Sequence, residues 1–266
     1  MDTTLSKSAL ARSLGLSRQS LYYVPKKPAR DRRLRDRILR VLTRHHAYGH
    51  RRIAIALRVN KKSVHRIMRL YAIRPKVLPK NKTRGKWPES VLGEVPNRLK
   101  DVKPERPNHV WAGDMTRLWF RGRAVYLATI IDCYTREIVA WQMGIHHTTG
   151  LITDVLTEGK RKRNHLPEIF HSDQGSEYTA AQCLAWLTRE KVLPSWSPKG
   201  KPWTNGAQES FFRTFKLEFG SPHEYGSLEM LTEAIGRYMH YYNTQRIHSR
   251  LKMPPRAYFR QATRKR

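Results

Sequence analysis

Three strand patterns that follow one another almost without a break limit what the second half of this chain can fold into. They are HVWAGDMTRLWF, AVYLATIIDCY and EIVAWQMG, from residue 109 to residue 144, and Gly122 predicts the first turn. The later patterns predict a helix near 148–163, a strand at 168–173, a helix at 178–191, a strand at 193–197 and helices at 205–219 and 227–244. This order is typical of an α/β fold with a mixed sheet.

The first part of the chain predicts helices only. Residues 5–24 indicate two short helices around Gly15, the outline of a helix-turn-helix, and Pro25 and Pro28 are expected to end it. Residues 31–44 then form a basic amphipathic pattern.

A second helix-turn-helix outline follows in residues 48–73, where Asn60 is a candidate N-cap. The apolar positions expected to face inward are Ile53, Ala56, Leu57, Val64, Ile67 and Met68. The outer face of its second helix carries Lys61, Lys62, His65, Arg66 and Arg69. Such a face suits a helix in a DNA major groove, and a solvated basic helix is the alternative. Which helix reads bases stays open.

The charge of the chain points to a polyanionic partner. Lys and Arg number 52 against 21 Asp and Glu, a formal charge of +31. Residues 1–100 contribute 27 basic and 5 acidic side chains, so most of the excess lies there. This imbalance argues against an enzyme that only needs solubility and favours a nucleic-acid ligand.

Five segments follow from these patterns. They are a helix-turn-helix at 1–28, a basic helix with a second helix-turn-helix at 29–74, an extended basic Pro-rich linker at 75–107, a catalytic core at 108–220, and a C-terminal helix with a basic tail at 221–266 that completes the core.

Several classes of protein are excluded. No run of about 18 apolar residues exists, so we expect no membrane span, and no signal peptide is recognisable. Cys133 and Cys183 are the only cysteines, too few for a disulfide framework and without zinc-site spacing. A cytoplasmic, nucleoid-associated bacterial protein is the expectation.

Three carboxylates lie where a two-metal phosphoryl-transfer site needs them. Asp114 lies inside the first strand, Asp173 ends the fourth, and Glu209 lies in the first turn of the 205–219 helix. Each also has a structural interpretation: an ion pair with Arg117 or Arg136 for Asp114, a turn for Asp173, and a favourable helix-start charge for Glu209. Asp132 favours a turn role and His171 a packed strand role.

The spacing of these carboxylates carries a family resemblance. Thirty-five residues separate Asp173 from Glu209, which resembles the Asp–Asp–(35)–Glu triad of retroviral integrases and related bacterial transposases. The segments WAGDMTRL, HSDQGSEY, SPKGKPWTNGAQESFFRTFKLE and YYNTQRIHSRLKMPPRAYF are similar to the second-frame transposases of the insertion-sequence-three family, and YGHRRIAIAL resembles their DNA-binding segment. The chain departs from the family in its short Arg58–Asn60 connector and in Asn205–Gly206–Ala207 before Glu209.

The resemblance implies a ribonuclease-H-like core in which Asp114, Asp173 and Glu209 are both catalytic residues and ligands of two Mg²⁺ ions, with Mn²⁺ as a substitute. It also implies cleavage and strand transfer at the terminal inverted repeats of a mobile element, a circular intermediate, at least a dimer on double-stranded DNA, and an upstream-frame protein or fusion partner. The residues expected to contact DNA are Lys216, Arg213, Lys61, Lys62, His65, Arg66, Arg69, Arg51, Arg52, Lys199, Lys201, Trp203, Arg246 and His248. For Arg246 and His248 a packing role is the alternative.

Two rival functions remain. One is a DNA-binding regulator derived from a transposase whose core is catalytically silent, although the intact triad spacing argues against it. The other is a nuclease on the same fold, which would cleave DNA without joining it.

Overall fold

The computed structural model describes residues 6–22, 26–77, 95–198 and 205–264, and these form two units. The first unit contains the described residues up to Arg44 and Gly49–Arg74. The second contains His45–Tyr48 and the described residues from Pro75 onward.

The first unit is helical throughout its regular structure. It contains α1 (Lys7–Ser13), a 3-10 helix (Arg18–Tyr22), α2 (Lys26–Arg44), α3 (His50–Leu57) and α4 (Lys61–Leu70). The second of the two helices predicted around Gly15 is therefore a five-residue 3-10 helix. α2 begins five residues earlier than predicted, so Pro28 lies in its first turn, where a missing backbone N–H is tolerated.

Apolar side chains from α2, α3 and α4 form the core of this unit. The fully buried ones are Ile38, Ile53, Val64 and Ile67. The prediction for Ala56 was wrong: its side chain is exposed and that of Ala54 is buried, because α3 turns the face next to Ile53 inward.

A three-residue connector joins α3 to α4. Arg58 ends α3 in the left-handed conformation at φ 53°, and the Asn60 side chain accepts a hydrogen bond from the Lys62 amide at 2.7 Å. The predicted Asn60 cap is confirmed, and the cap stabilises the start of a helix whose outer face is strongly basic.

The second unit contains a five-stranded mixed sheet. Its strands are β1 (Val110–Phe120), β2 (Arg123–Asp132), β3 (Ile138–Gly144), β4 (Ile169–Ser172) and β5 (Leu193–Trp196). They lie in the order β3-β2-β1-β4-β5, with β1 antiparallel to β2, β2 antiparallel to β3, and β1, β4 and β5 parallel. The predicted α/β core with a mixed sheet and helical segments before it is confirmed.

Helices cover both faces of this sheet. One apolar cluster joins the sheet to α5 (Thr149–Arg163), α6 (Ser176–Thr179) and α7 (Ala181–Arg189). The other joins it to α8 (Gly206–Glu218) and α9 (Leu228–Thr244), and α10 (Pro255–Arg264) ends the described chain. The single helix predicted at 178–191 is thus two helices, α6 and α7, because Ala180 leaves the helical conformation between them.

Part of the predicted linker belongs to this unit. Residues 78–94 lie outside the described residues, but a 3-10 helix at Arg98–Lys100 packs beside β5. The Arg98 amide donates to Ser195 Oγ at 2.9 Å, and Leu99 and Val102 contact the core. An extended linker was therefore the wrong prediction for residues 96–102, because edge strand β5 needs hydrogen-bond partners that this segment supplies.

None of the described helices is both long enough and apolar enough to cross a membrane.

Candidate active site

Asp114 lies half-buried in the middle of β1. Its Oδ1 accepts a hydrogen bond from the Met115 amide at 2.7 Å, and its register partner on β2 is Thr129. Neither arginine considered as its partner pairs with it among the described residues, and the Arg117 guanidinium instead lies 5.1 Å from the Trp119 ring centroid. Asp114 is therefore a strand carboxylate that forms no ion pair with any residue that the structure describes.

Asp173 follows β4, the neighbour of β1 in the sheet. Its Oδ1 accepts a hydrogen bond from the Gly175 amide at 3.0 Å, which is the turn role considered above. Burial and the nearby charges of Asp173 and Glu177 raise the pKa of Asp114 to about 7. Partial desolvation and Glu177 also raise the pKa of Asp173, although its side chain is open to solvent on one side. The two aspartates therefore lie within electrostatic range of each other.

Glu177 is a third carboxylate at this place, and sequence reasoning missed it. It is buried in α6, its Oε1 lies 3.2 Å from His147 Nε2, and its Oε2 accepts from Ser176 Oγ at 3.2 Å. A Cβ on Gly175 would come within 2.7 Å of Glu177 Oε1, so the glycine makes room for this carboxylate. The only signal in the sequence was an acidic residue four positions after Asp173.

A buried tyrosine hydroxyl lies beside the carboxylates. Tyr178 is 2% exposed, and its Oη has no hydrogen-bond partner within the described chain. Burial, followed by the charges of Asp114 and Asp173, raises the pKa of Tyr178 well above its ordinary value. A buried hydroxyl without a hydrogen-bond partner, next to two carboxylates, indicates a polar site whose groups do not satisfy one another.

The start of α8 is fastened to the sheet next to Asp114. Gln208 is fully buried; its Nε2 donates to the carbonyls of Ala112 at 2.6 Å and Thr129 at 2.9 Å, and its Oε1 accepts from Thr129 Oγ1 at 3.0 Å. Asn205 Nδ2 donates to the Gly113 carbonyl at 3.1 Å and makes no side-chain cap. The spacing of Asn205 and Gln208 is that of a capping box, but these two amides bind strand carbonyls instead of the helix start.

Glu209 is exposed on α8 and does not converge with the aspartates into a closed cluster. No three His, Cys, Asp or Glu side chains among the described residues lie close enough to hold a metal ion. Lys216 lies two turns further on the same helix face as Glu209, and its charge acts to lower the pKa of Asp114. Asp114 thus lies within electrostatic range of Asp173, Glu177 and Lys216, without these carboxylates converging on one point, and Glu209 lies on the helix face that Lys216 shares.

Apart from Arg246, the residues expected to contact DNA fall into three groups. On α4, Lys61, Lys62, His65 and Arg69 are exposed, whereas Arg66 pairs at two points with Asp31, at 2.6 and 2.7 Å. Arg51, Arg213 and Lys216 are exposed, and Arg52 and His248 are partly buried. Lys199, Lys201 and Trp203 lie outside the described residues.

Arg246 lies in the interior of the second unit. Its Nε is 2.8 Å from Glu218 Oε2, and only 7% and 4% of the two side chains are exposed. Burial opposes the charge of Arg246, but the Glu218 carboxylate outweighs this effect and raises the pKa of the guanidinium. In this structure the side chain is not available to DNA, which favours the packing role.

Two structural interpretations are confirmed. Asp132 is a turn residue whose carboxylate accepts hydrogen bonds from the amides of Asn108, Tyr134 and Thr135, at 2.7 to 2.8 Å. His171 is buried between Ser195 Oγ and Ser197 Oγ, each 2.9 Å away.

Comparisons with known proteins agree with this fold. The integrase core domain family matches residues 104–202, and a second integrase core domain family matches 190–255. The putative transposase InsK for insertion sequence element IS150 of Escherichia coli K12 is 30% identical over 258 residues, covering 91% of this chain and 89% of that protein. The 31 kDa protein of insertion element IS600 from Shigella sonnei is 32% identical over 262 residues, covering 93% and 96%. The catalytic core domain of HTLV-2 integrase, solved in complex with magnesium, aligns with 15% identity and a TM-score of 0.46 over 59% of this chain and 99% of that one.

The mixed sheet and the integrase-core matches define a polynucleotidyl transferase with an integrase-type core. The full-length similarity to insertion-sequence proteins is more specific. The chain belongs to the insertion-sequence-three family of transposases.

Proposed function

We propose that this transposase binds the terminal inverted repeats of its insertion sequence and catalyses Mg²⁺-dependent DNA cleavage and strand transfer, through a circular intermediate. The observation that carries the proposal is the electrostatic proximity of Asp114, within β1, and Asp173, directly after the neighbouring strand β4, neither of which forms an ion pair with a described residue. Burial and the charge of Asp173 raise the pKa of Asp114, and a bound cation would offset this unfavourable negative charge.

The chemistry of the three proposed donors suits a hard divalent cation, although their side chains do not converge on one point in this structure. Asp114, Asp173 and Glu209 would hold Mg²⁺, since all three offer carboxylate oxygens. The buried Tyr178 hydroxyl, which has no hydrogen-bond partner among the described residues, supports a polar ligand at this place. When bound, two such ions activate the attacking oxygen and stabilise the leaving oxygen of a phosphodiester.

The remaining residues of the site bind and orient DNA. Lys216 and Arg213 are exposed cations on α8, placed to neutralise phosphates beside Glu209. Gln208 holds the first turn of α8 against β1 and β2, so that Glu209 keeps a fixed position on the sheet side carrying Asp114.

The first unit binds the DNA at the element ends. The exposed basic face of α4 fits a major groove, and the tight connector before it is that of a helix-turn-helix. Because two ends must be held together for joining, at least two copies of the chain would act on the DNA, with an upstream-frame protein as a further candidate partner.

A strand-transfer assay on labelled element-end DNA with Mg²⁺ tests the proposal. Asp173→Asn and Glu209→Gln should each abolish joining while changing DNA affinity less than about twofold, because they remove metal ligands and no contact to phosphate. The matched controls are Asp154→Asn and Glu233→Gln, which change exposed acids on α5 and α9.

Other outcomes contradict the proposal in distinct ways. Joining by Asp173→Asn or Glu209→Gln would remove that residue from the catalytic set. Specific binding without any product from the native chain would favour the silent regulator, and cleavage without joining would favour the nuclease.

A further inference from the structure

The outward end of the β1–β2 hairpin carries an aromatic and basic surface that the proposed chemistry does not use. We call Arg117, Trp119, Tyr126 and His147 the hairpin stripe. Trp119 is 52% exposed, and the Arg117 guanidinium lies 5.1 Å from its ring centroid, within cation–π range. Arg117 forms no ion pair with any residue that the structure describes, so its charge remains open to a ligand.

The stripe is continuous with the candidate active site. Arg117 is the register partner of Tyr126, so the two side chains share one face of the sheet. The Tyr126 ring lies 5.1 Å from the His147 ring, and His147 Nε2 lies 3.2 Å from Glu177 Oε1. A ligand lying along the stripe would therefore lead to the carboxylates.

The chemistry of the stripe fits a nucleic-acid strand. An exposed indole offers a face on which a base or sugar can stack, and a guanidinium beside it can neutralise a phosphate. Arg121 and Arg123 at the hairpin tip are also exposed, and no carboxylate in the described ranges pairs with them. This excess of positive charge around one large aromatic ring favours a polyanion over a protein surface.

We propose that the hairpin stripe binds the DNA that flanks the reacting phosphodiester, with Trp119 packing against a deoxyribose several positions away and Arg117 neutralising a phosphate beside it. The proposal rests on the strand-transfer function proposed above. Because side chains alternate along a strand, Trp119 and Asp114 face opposite sides of the sheet, so DNA leaving the aspartates would reach the stripe around the edge of β1 that β4 leaves unpaired beyond Ala112. Trp119 lies five residues beyond Asp114 on that strand, which at ~3.3 Å per residue is roughly 17 Å. That length corresponds to about five base pairs of B-form DNA.

Element-end duplexes of two lengths test the proposal. The DNA extends beyond the reacting phosphate by either two or ten base pairs, and each length is made once for each side of that phosphate. The affinity of the protein for each duplex is measured by fluorescence anisotropy in EDTA. Trp119→Ala and Arg117→Ala should weaken binding of a ten-base-pair flank by about tenfold and of the two-base-pair flank by less than about twofold. Trp119→Phe should recover most of the lost affinity, since a phenyl ring still stacks.

Exposed residues elsewhere in the second unit supply controls. Met230→Ala removes a side chain that is 53% exposed on α9, and Arg189→Ala removes an arginine that is 69% exposed on α7. Neither should distinguish the two flank lengths. The double variant of Arg117 and Trp119 should lose less affinity than the two single losses combined, because the side chains act as one stacked pair.

The remaining outcomes overturn the inference. An equal loss on short and long flanks, or no loss on either, would show that the stripe does not contact flanking DNA. Capture of a protein by the stripe with unchanged DNA affinity would assign it to a protein partner. If the native chain binds and joins element ends while Trp119→Ala matches it on every duplex, only this inference fails; if the native chain joins nothing, the proposed function fails first.

Discussion

Replacing Arg246 with methionine would remove the cation that faces Glu218 in the interior of the second unit. Both side chains are almost completely buried, and the Arg246 Nε contacts both Glu218 oxygens, at 2.8 and 2.9 Å. Methionine retains much of the apolar stem of arginine, so the main change is the loss of the guanidinium. A role in packing and a role in DNA contact predict opposite results for this variant.

The magnitude follows from the burial of the pair. Removing one partner of a buried ion pair costs ~3–5 kcal/mol of unfolding free energy, because the other charge remains desolvated. For a chain of this size that loss lowers the melting temperature by roughly 10 °C. Glu218 also accepts a hydrogen bond from Tyr238 Oη at 3.2 Å, so glutamine at 218 would keep an acceptor for it.

A double-mutant cycle separates the two roles. Thermal and urea unfolding are followed by circular dichroism for Arg246→Met, Glu218→Gln and the double variant, and DNA affinity is measured below every melting transition. We expect each single variant to be destabilised, the double variant to recover at least ~2 kcal/mol, and DNA affinity to stay within about twofold of the native value. Native stability of Arg246→Met together with weakened DNA binding would refute the reasoning and return Arg246 to the DNA contacts.

Two further predictions concern buried groups. Gln208→Leu should destabilise the second unit by ~3 kcal/mol, about 1 kcal/mol for each of its three hydrogen bonds, and should lower strand transfer because Glu209 loses its support. The control Gln261→Leu, on the exposed face of α10, should change neither stability nor strand transfer. Equal melting temperatures of the two variants would contradict the argument. Burial raises the pKa of Cys133 to about 12 and that of Cys183 to about 11, so both thiols stay protonated at pH 8. Both should therefore resist a thiol-reactive dye until guanidinium unfolds the chain. Rapid labelling of the native protein would show that the structure around these cysteines opens to solvent.

The strands and long helices of the core could be predicted because their signals are local. β1 and β2 are short runs rich in apolar, aromatic and β-branched residues around a Gly122 turn, and α9 repeats its buried residues at helical spacing, so each pattern identifies its element without knowledge of its neighbours. Short or irregular elements gave weaker signals. The break between α6 and α7 at Ala180 and the docking of Arg98–Lys100 on β5 have no periodic pattern, which is why the first was predicted as one helix and the second as linker.

The residues of the candidate site also differ in whether the sequence alone could predict them. Asp114 and Asp173 could be named from the sequence because a carboxylate inside a strand and another at a strand end stand out against apolar neighbours. Glu177 could not, since an acidic residue in a short polar segment is ordinary until its burial against His147 is known. Glu209 was selected by its spacing from Asp173, and the structure adds the buried Gln208 beside it as the residue that fastens its helix.

By itself, the sequence determined the α/β class of the core, the helical character of the basic first part and the spacing of three carboxylates, because hydrophobic periodicity and residue spacing are properties of neighbouring positions. Only the tertiary structure decided which polar groups are buried together. Gln208 forms a hydrogen bond with Thr129, 79 positions away in the sequence, and Arg246 forms one with Glu218, 28 positions away. Whether a charged or amide side chain is solvated or enclosed depends on such distant contacts, and its surroundings decide whether it grips DNA, supports the site or stabilises the fold.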